Sequence, residues 1–264
     1  MTAINWGAAG SRIYQSGVDR GVLYIGNQPG VPWSGLTSVV ENISGGAAKP
    51  LYVDGDKYSN LASPEEYQAQ LSAYTYPDEF EDCDGNASVR TGFFATRQKR
   101  KPFSLSYRTF IGNDLTGALG YRIHLVYNVL ASPSIHSYKS DTTNVNVADF
   151  AWSLTALPPA VSGYQRTAHY ILDSRELSEP VLTYMENALY GTDTTPPHLP
   201  PFTEIISAID SNGGLTVTDN GDGTFTMTAP DGALFMLDSN TAQLTWDSAV
   251  YIDSDTYTVS SSSL

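Results

Sequence analysis

The sequence is poor in the residues that build disulfide frameworks, metal fingers and common catalytic sites. Cys83 is the single cysteine among 264 residues, which excludes an intrachain disulfide, and the acids beside it are expected to raise the pKa of its thiol. The four histidines, at 124, 136, 169 and 198, are scattered without an HxH or HxxxH pair. Signatures such as GxGxxG, a P-loop or GxSxG are missing. The sequence therefore predicts no catalytic residue, no metal site and no cofactor.

Basic residues are missing from the C-terminal third of the chain. All 14 Lys and Arg residues lie at or before Arg175, and the last 89 residues hold 13 acidic side chains. The net charge is −14, and almost all of it falls on those last residues. DNA phosphates attract Lys and Arg, so this surface is predicted not to bind nucleic acid. It suits a surface that must stay soluble at high local density, or one that DNA must slide past without sticking.

Long hydrophobic segments are also lacking. No apolar run approaches the length of a membrane span, which predicts no membrane insertion. Residues 1–7 show neither the basic start nor the apolar core of a signal peptide, so we expect synthesis in a cytoplasm.

Residues 102–132 alternate apolar and polar side chains on either side of a glycine-rich turn. This pattern predicts a long antiparallel hairpin. The apolar and aromatic side chains are expected on one face, and Arg108, Arg122 and His124 on the other. A lone hairpin is marginally stable in water, so more sheet or a helix must cover the apolar face.

Helix signals occur at two places. Ser63 and Glu66 can form a capping box, which predicts a helix that ends before Pro77. Residues 179–190 carry apolar side chains at helical spacing, and Gly191 is a natural C-terminal stop. The narrow apolar stripe of the first helix is suited to lying on a sheet, and the Met and Leu stripe of the second is expected to pack in the core.

The chain is predicted to be mainly β, with packed antiparallel sheets forming a sandwich or barrel, a flanking helix and a small second β domain. Residues 1–194 form the main domain. Residues 195–201 are a linker stiffened by four prolines. Residues 202–264 carry short alternating segments that predict a small, acidic, immunoglobulin-like sandwich.

A polar excursion over residues 44–59 is tipped by Asp54 and Gly55, a strong signal for a tight hairpin. It is too long and too polar to be core, so we expect it to reach outward and make intermolecular contacts. The residues predicted for these contacts are Gly45, Gly46, Tyr52, Asp54, Gly55 and Lys57.

An acidic loop (residues 79–85) is soon followed by a basic run (residues 97–101). The basic run could grip phosphate, or it could pair with acids nearby or on a neighbouring chain. With 28 acids in the chain, pairing with carboxylates is favoured. The residues assigned to this pairing between subunits are Arg97, Lys99, Arg100, Lys101, Glu79, Glu81 and Asp82.

Aromatic residues are plentiful, with 17 tyrosines and 4 tryptophans. Amphipathic rings of this kind stack on sugars, but they are equally typical of protein–protein interfaces. Composition alone leaves both interpretations open.

Several short motifs follow one another in a specific order along the chain. They are GVDRGVLY at 17–24, GVPWSGL at 30–36, YTYPDEF at 74–80, SYRT at 106–109, IGND at 111–114, GY at 120–121 and HLVYN at 124–128. In this order they resemble the major tail proteins of long-tailed, non-contractile phages of actinobacteria. The resemblance covers roughly residues 4–195.

This resemblance implies the fold shared by phage tail tubes and the type VI secretion tube. It implies a structural virion protein of the tail, made and assembled in the cytoplasm of the host bacterium. The subunits would form six-fold rings that stack into a tube, through which genomic DNA passes without specific binding. The implied partners are other copies of the chain, the tape measure protein, the tail terminator and the distal tail protein.

Three expectations about the tube follow. The excursion at 44–59 would contact the next ring, the basic run would pair across a subunit boundary, and residues 202–264 would decorate the outside. Tube lumens in this family tend to be negative. Arg108 and Arg122 therefore either meet a neighbouring subunit or are surrounded by acids of the same chain.

Two other functions compete with the structural one. The first is a carbohydrate-binding or receptor-binding β module of a phage tail. The second is an enzyme that acts on polysaccharide, although the missing signatures favour a protein without enzymatic activity.

Overall fold

The structure, a computed structural model, describes residues 7–46, 48–62, 65–133, 136, 149–161 and 163–212, and the backbone of five later strands. The strands of the first part are β1 (Ile13–Tyr24), β2 (Val31–Pro32), β3 (Leu36–Ser44), β4 (Ala48–Val53), β5 (Asp56–Ala62), β6 (Glu66–Ala73), β7 (Ala87–Arg90), β8 (Phe93–Ala95), β9 (Phe103–Asn113), β10 (Gly120–Ala131), β11 (Phe150–Ala156) and β12 (His169–Asp173). The helices are α1 (Glu81–Asp84), which follows a 3-10 turn at Asp78–Phe80, then α2 (Glu179–Tyr190) and α3 (Phe202–Asn212).

Eight strands form one antiparallel sheet built around the predicted hairpin. Its order is β2-β1-β9-β10-β11-β6-β3, and β12 also pairs with β10. The hairpin of β9 and β10 is confirmed, with a register that runs from Ile111 opposite Gly120 to Phe103 opposite Val129. The first half of β10 pairs with β12 and its last residues pair with β11, so this strand joins three neighbours.

The two faces of the hairpin differ from the prediction. Residues paired in an antiparallel ladder point to the same side of the sheet, and Tyr107 is paired with His124. Arg108 is paired with Ile123 on the opposite side. The expected division into one apolar and one cationic face is therefore wrong, because both His124 and Ile123 are buried.

Acids of the same chain neutralise both hairpin arginines. The Arg108 guanidinium donates two hydrogen bonds to the Asp19 carboxylate, at 2.7 and 2.9 Å. Arg122 Nε donates to Asp173 Oδ2 at 2.8 Å. Of the two alternatives for these arginines, the structure thus supports acids of the same chain.

Aromatic rings that meet edge to face fill the core. The Trp152 ring lies 5.1 Å from Phe80 and 5.9 Å from Trp33, measured between ring centroids. Each indole N–H has an acceptor at 2.9 Å, namely the Thr75 carbonyl for Trp33 and the Asp84 carboxylate for Trp152. Both buried indole N–H groups therefore have a hydrogen-bond acceptor.

The helix predicted at the Ser63–Glu66 capping box is wrong. Strand β6 occupies most of this segment and pairs with β3 on one side and β11 on the other. Tyr67 and Leu71 are four residues apart, a spacing that fits one face of a helix and equally one face of a strand. Pairing on both edges favours the strand, whose Leu71 and Ala73 are fully buried. Residues 63 and 64 lie outside the described part of the chain.

The second predicted helix is confirmed as α2, and Gly191 follows it in the left-handed region with φ of 79°. Tyr24 fixes its last turn, since the buried hydroxyl of Tyr24 donates to the Leu189 carbonyl at 2.8 Å. The same hydroxyl lies 3.2 Å from the Ser106 hydroxyl on β9. One side chain thus connects the sheet to the helix end.

The chain forms two compact units. The first contains Met1–Arg175 and Ala188–Leu199, and the second contains Glu176–Asn187 and Pro200–Leu264. The first part of the proline-rich segment belongs to the first unit. Its Pro197 carbonyl accepts a hydrogen bond from Gly30 N at 2.8 Å, and His198 N donates to the Ala188 carbonyl at 2.7 Å.

The second unit begins with helix and continues with short strands. Helix α3 was not predicted; Ile205 and Ala208 on it are buried, and its Glu204 accepts a hydrogen bond from the Tyr184 hydroxyl at 3.1 Å. Strands β13 (Thr216–Asp219), β14 (Thr224–Thr228) and β17 (Thr256–Ser260) form one antiparallel sheet, and β15 (Leu234–Leu237) pairs with β16 (Leu244–Asp247).

The predicted fold class is confirmed, since the chain is mainly β with antiparallel sheets and a flanking helix. The finer division into domains at 194 and 202 stays a prediction. Among the described residues, no helix has the length and apolar character needed to cross a membrane.

Candidate functional site

Strands β4 and β5 form a hairpin that pairs with no other strand of the described chain; we call it the arm (residues 48–62). Every side chain of β4 is exposed, and the exposed apolar surface includes Tyr52 and Tyr58, which are 63% and 76% accessible. Leu51 and Leu61 are also exposed and share one face of the ladder. The six residues of β4 give the arm a length of roughly 20 Å at about 3.3 Å per residue.

The tip of the arm is the tight turn expected from the sequence. Asp54 and Gly55 have φ of 53° and 89°, as a two-residue hairpin turn with both central residues in the left-handed region requires. Gly46, at the base of the arm, also has a positive φ, and a Cβ there would come within 2.8 Å of the Glu65 carboxylate. The remaining residues named for intermolecular contacts, Gly45, Tyr52 and Lys57, lie at the base or along the exposed arm. Whether they contact another molecule stays a prediction.

A second isolated hairpin, formed by β7 and β8, was not predicted. Val89, Phe93 and Phe94 on it are exposed, with Phe93 61% accessible. Thr91 and Gly92 connect the strands, and Gly92 has a positive φ of 74°. The FF pair and the glycine are the sequence signals that could have revealed this hairpin. The described chain thus presents two separate hairpins whose apolar side chains face solvent.

The acidic loop and the basic run lie side by side. Lys101 N donates to the Asp82 carbonyl at 3.1 Å and Gln98 N donates to the Gly85 carbonyl at 2.8 Å. Lys101 Nζ lies 2.6 Å from Asp82 Oδ2, and both side chains are largely exposed. Arg100 Nη1 lies 3.0 Å from the buried Asp84 carboxylate. Nearby acids of the same chain therefore bind two members of the basic run.

Asp84, which the sequence prediction omitted, is the centre of this region. Its Oδ1 atom accepts hydrogen bonds from both Arg100 and the Trp152 indole, and His136 Nε2 lies 3.6 Å from Oδ2. Arg97, Lys99 and Glu79 are exposed. Glu81 instead accepts a hydrogen bond from the Asn86 amide at 2.6 Å. Pairing of these residues across a subunit boundary stays a prediction.

Cys83 is buried in the same helix. Burial is the main cause that raises the pKa of its thiol to about 12, and the Asp82 carboxylate adds to the effect. The expected rise in pKa therefore agrees with the structure, but desolvation contributes more than the neighbouring acids. A thiol with this pKa is a poor nucleophile at neutral pH.

Two of the scattered histidines lie next to each other in the folded chain. The rings of His124 on β10 and His169 on β12 are stacked with centroids 5.2 Å apart, and the His124 ring also stacks on Tyr107 at 4.6 Å. Glu41 on β3 completes a triad in which all three ligand atoms lie within 4.8 Å of one another. Sequence spacing could not reveal this triad, because each residue comes from a different strand.

Glu41, the carboxylate of the triad, has a pKa that its neighbours change strongly. Burial by itself would raise the pKa of Glu41, but hydrogen bonds from His124 and Tyr107, with the nearby His169, lower it to about 2. Burial lowers the pKa of His169, although Glu41 opposes this effect. Burial also raises the pKa of the Tyr107 hydroxyl, which donates a short hydrogen bond to Glu41. Glu41 is therefore an anion at neutral pH.

Comparison with known proteins gave similarities in structure but not in sequence. No family model matches the chain, and no curated protein matches it. A chain of the extended sheath–tube complex of the extracellular contractile injection system PVC is 11% identical, with 58% of this chain and 88% of that chain covered and a TM-score of 0.35.

Two further structures come from the anti-feeding prophage. A chain of its six-fold symmetrised baseplate is 10% identical, with coverage of 64% and 97% and a TM-score of 0.32. A chain of its tube-terminating cap is 11% identical, with coverage of 66% and 96% and a TM-score of 0.33. The similar chains thus belong to tube, baseplate and cap assemblies.

Proposed function

We propose that this chain is the subunit of a phage tail tube, in which six-fold rings stack into a conduit for genomic DNA. The tube belongs to a long, non-contractile tail, as the ordered sequence motifs of residues 4–195 imply. Other copies of the chain are its main partners, and the tape measure, tail terminator and distal tail proteins meet it at the tube ends. The protein acts through assembly and not through catalysis.

The single observation that carries this proposal is the exposed arm. A two-stranded hairpin without further sheet is marginally stable in water, and this one presents two leucines and two tyrosines to solvent. Exposed apolar patches of this kind mark interaction sites in monomeric proteins. A neighbouring subunit would bury the arm and give it the packing that the isolated chain does not provide.

The arm supports contact between rings in particular. Its length of roughly 20 Å, at about 3.3 Å per residue, lets it extend beyond the body of its own subunit. The hairpin of β7 and β8, with its exposed phenylalanines, offers a second and independent contact within or between rings. A two-dimensional array of subunits on a cylinder needs at least two separate contacts, and the two hairpins supply two separate surfaces.

Electron microscopy of the purified full-length chain tests the proposal. We expect rings or long tubes in negative stain, and particles far heavier than one chain in light scattering. The decisive variant replaces residues 48–62 with a short Gly/Ser loop. It should keep the circular dichroism of the body and lose tube formation.

A point variant avoids the deletion. Leu51→Ser with Leu61→Ser removes apolar surface from one face of the arm, and Leu157→Ser removes it from an exposed site outside both hairpins. Only the arm variant should impair assembly. Normal tubes from the arm variant would contradict the role of the arm, and a wild-type chain that stays monomeric at high concentration would contradict the tube itself.

The second unit has a separate role in the proposal: the acidic C-terminal strands decorate the outside of the tube. Truncation after Asn212 is the appropriate test, because it retains α3 and the hydrogen bond between Tyr184 and Glu204. Six highly acidic modules per ring would repel one another less on an outer surface, where solvent screens them. We expect tubes of unchanged bore and smaller outer diameter. Loss of assembly or a wider bore would contradict the outer position.

The alternative of a sugar-binding module rests on the exposed tyrosines of the same arm. Rings such as Tyr52 and Tyr58 can stack on pyranose faces. A glycan array distinguishes the two functions, since a receptor-binding module retains specific sugars without forming rings. A tube subunit forms rings without retaining them.

A further inference from the structure

We propose that Glu41, His124 and His169 bind a divalent transition-metal ion, with Zn²⁺ as the ion that best fits the donor set. The proposal is independent of tube assembly, and it departs from the expectation of no metal site. Two imidazole nitrogens and one carboxylate oxygen are donors that zinc and its neighbours in the first transition row prefer. Calcium and magnesium prefer oxygen donors alone.

The distances between donor atoms fit one face of a tetrahedron. His124 Nδ1 lies 3.1 Å from His169 Nε2 and 3.3 Å from Glu41 Oε1, and His169 Nε2 lies 3.4 Å from the same oxygen. Zinc bonds to nitrogen and oxygen are about 2.0–2.1 Å long, so two donors of a tetrahedral site are separated by about 3.3–3.4 Å. A metal ion at a tetrahedral centre would therefore reach all three atoms with little movement.

Neighbouring groups hold the donors in the orientation that coordination needs. Thr109 Oγ1 lies 3.0 Å from His124 Nε2, so a proton can be held on this nitrogen while Nδ1 exchanges its hydrogen bond to Glu41 for a bond to the ion. Stacking on Tyr107 fixes the plane of the His124 ring. The Tyr107 hydroxyl donates to Glu41, as outer-shell partners of metal-binding carboxylates do. The arrangement is that of a preorganised site with supporting hydrogen bonds.

The surroundings leave room for a fourth ligand. The Glu41 side chain is 33% exposed, whereas the two histidines are nearly buried, so the triad opens towards solvent on the carboxylate side. The ring of Tyr67 packs on His169 at 5.2 Å, and its buried hydroxyl has no well-aligned hydrogen-bond partner in the described part of the chain. The fourth ligand is therefore expected from the solvent side of Glu41.

The ion would connect strands that share no hydrogen-bond ladder. Glu41 lies on β3, whereas His124 and His169 lie on β10 and β12, and β3 pairs only with β6 among the described strands. A metal bridge would therefore link the β3–β6 edge of the sheet to the hairpin strand. Its role on this geometry is structural, with coordination free energy added to the folded state.

Metal titration of the full-length, untagged chain tests the proposal. After removal of metals with a chelator, Zn²⁺ alone is titrated by calorimetry, and metal content is measured after dialysis. We expect one ion per chain. Glu41→Gln and His169→Gln should each weaken affinity by at least the 10–100-fold that loss of an outer-shell partner costs. His198→Gln, a histidine outside the triad, is the matched control and should bind as the wild type does.

X-ray absorption on the zinc-loaded wild-type chain requires no variant to fold. Two imidazole nitrogens in the first shell are the expected result. One imidazole or none would overturn the assignment, as would wild-type affinity in both triad variants. A chain that binds no stoichiometric zinc would show that the triad holds a proton instead, and would overturn the proposal as well.

Discussion

Replacement of Asp84 should destabilise the body much more than replacement of its neighbour Asp82. Both are carboxylates on the same short helix, and both bind a member of the basic run. Asp82 has the shorter ion pair, at 2.6 Å to Lys101, against 3.0 Å between Asp84 and Arg100. The two sites differ in burial, because the Asp84 side chain is 4% exposed and that of Asp82 is 44% exposed.

The loss in the free energy of unfolding follows from the groups that each substitution leaves without a partner. Asp84→Ala removes a charge-assisted hydrogen bond worth about 1.5–3 kcal/mol and leaves the buried Trp152 N–H without its acceptor, at a further cost of about 1–3 kcal/mol. A total of roughly 3–5 kcal/mol agrees with the usual cost of breaking a buried ion pair. Asp82→Ala breaks a pair open to solvent, for which about 0–1 kcal/mol is expected.

Asp84→Asn separates the two contributions. The amide oxygen can still accept from the Trp152 indole, but the charge that binds Arg100 is lost. We expect Asp84→Asn to lower the free energy of unfolding by about 1–3 kcal/mol, between the losses of Asp82→Ala and Asp84→Ala.

Urea unfolding followed by tryptophan fluorescence measures the three variants against the wild type. In a chain of this size each kcal/mol shifts the melting temperature by about 2–4 °C, so Asp84→Ala should melt on the order of 10 °C lower. Equal destabilisation by Asp84→Ala and Asp82→Ala would refute the reasoning that burial, and not the ion-pair distance, sets the energy. An Asp84→Asn variant as unstable as Asp84→Ala would refute the separate contribution of the indole.

Three further predictions concern other parts of the body. Hydrogen bonds from Arg175 and Arg122 outweigh burial and lower the pKa of Asp173. The ionised Asp173 carboxylate therefore stabilises the fold fully above pH ~4, and this stabilisation is lost as the pH falls further. The urea midpoints of the wild type and of Asp173→Asn should converge in acid. Tyr24→Phe leaves the Leu189 carbonyl without its donor and should cost about 1–3 kcal/mol in urea unfolding, and a loss below 0.5 kcal/mol would contradict the link between sheet and helix. Lys99→Glu should change the salt dependence of assembly in light scattering, but not the urea midpoint, because this side chain is exposed. Unchanged assembly would contradict the prediction that Lys99 pairs with a neighbouring subunit.

Local sequence patterns were sufficient for elements whose neighbours along the chain are also their neighbours in space. The turn at Asp54 and Gly55 and the stop at Gly191 were predicted because a positive φ strongly favours such residues. The hairpin of β9 and β10 was predicted because two alternating segments flank a glycine-rich turn. Helix α2 followed from apolar spacing alone.

The features that were missed depend on register and on distant pairing. In β10 the register shifts between Val126 and Val129, and Asn128 has a φ of 50°, so the strict alternation read from the sequence does not hold through the bulge. The sequence also gives no information on which face of β9 meets which face of β10. For this reason His124 was expected on a polar surface and is found in the core.

The metal-binding triad could not be predicted for a related reason. Its residues are separated by more than 40 positions from one another, and only the folded sheet brings β3 close to β10 and β12. The wrong helix at β6 has a different cause. Its capping signals were local, whereas its pairing with two strands is a tertiary effect that overrides them.

The central position of β10 has a consequence for the order of folding. Strand β1 attaches to β9, while β11 and β12 attach to β10, so none of them can join the centre of the sheet until the hairpin exists. The hairpin is local in sequence and closes a short loop, whereas the pairings of β1 with β9 and of β11 and β12 with β10 must close longer ones. We therefore expect the hairpin to form the folding nucleus: destabilising changes within it should slow refolding, and equal changes in β3 or β6 should mainly accelerate unfolding.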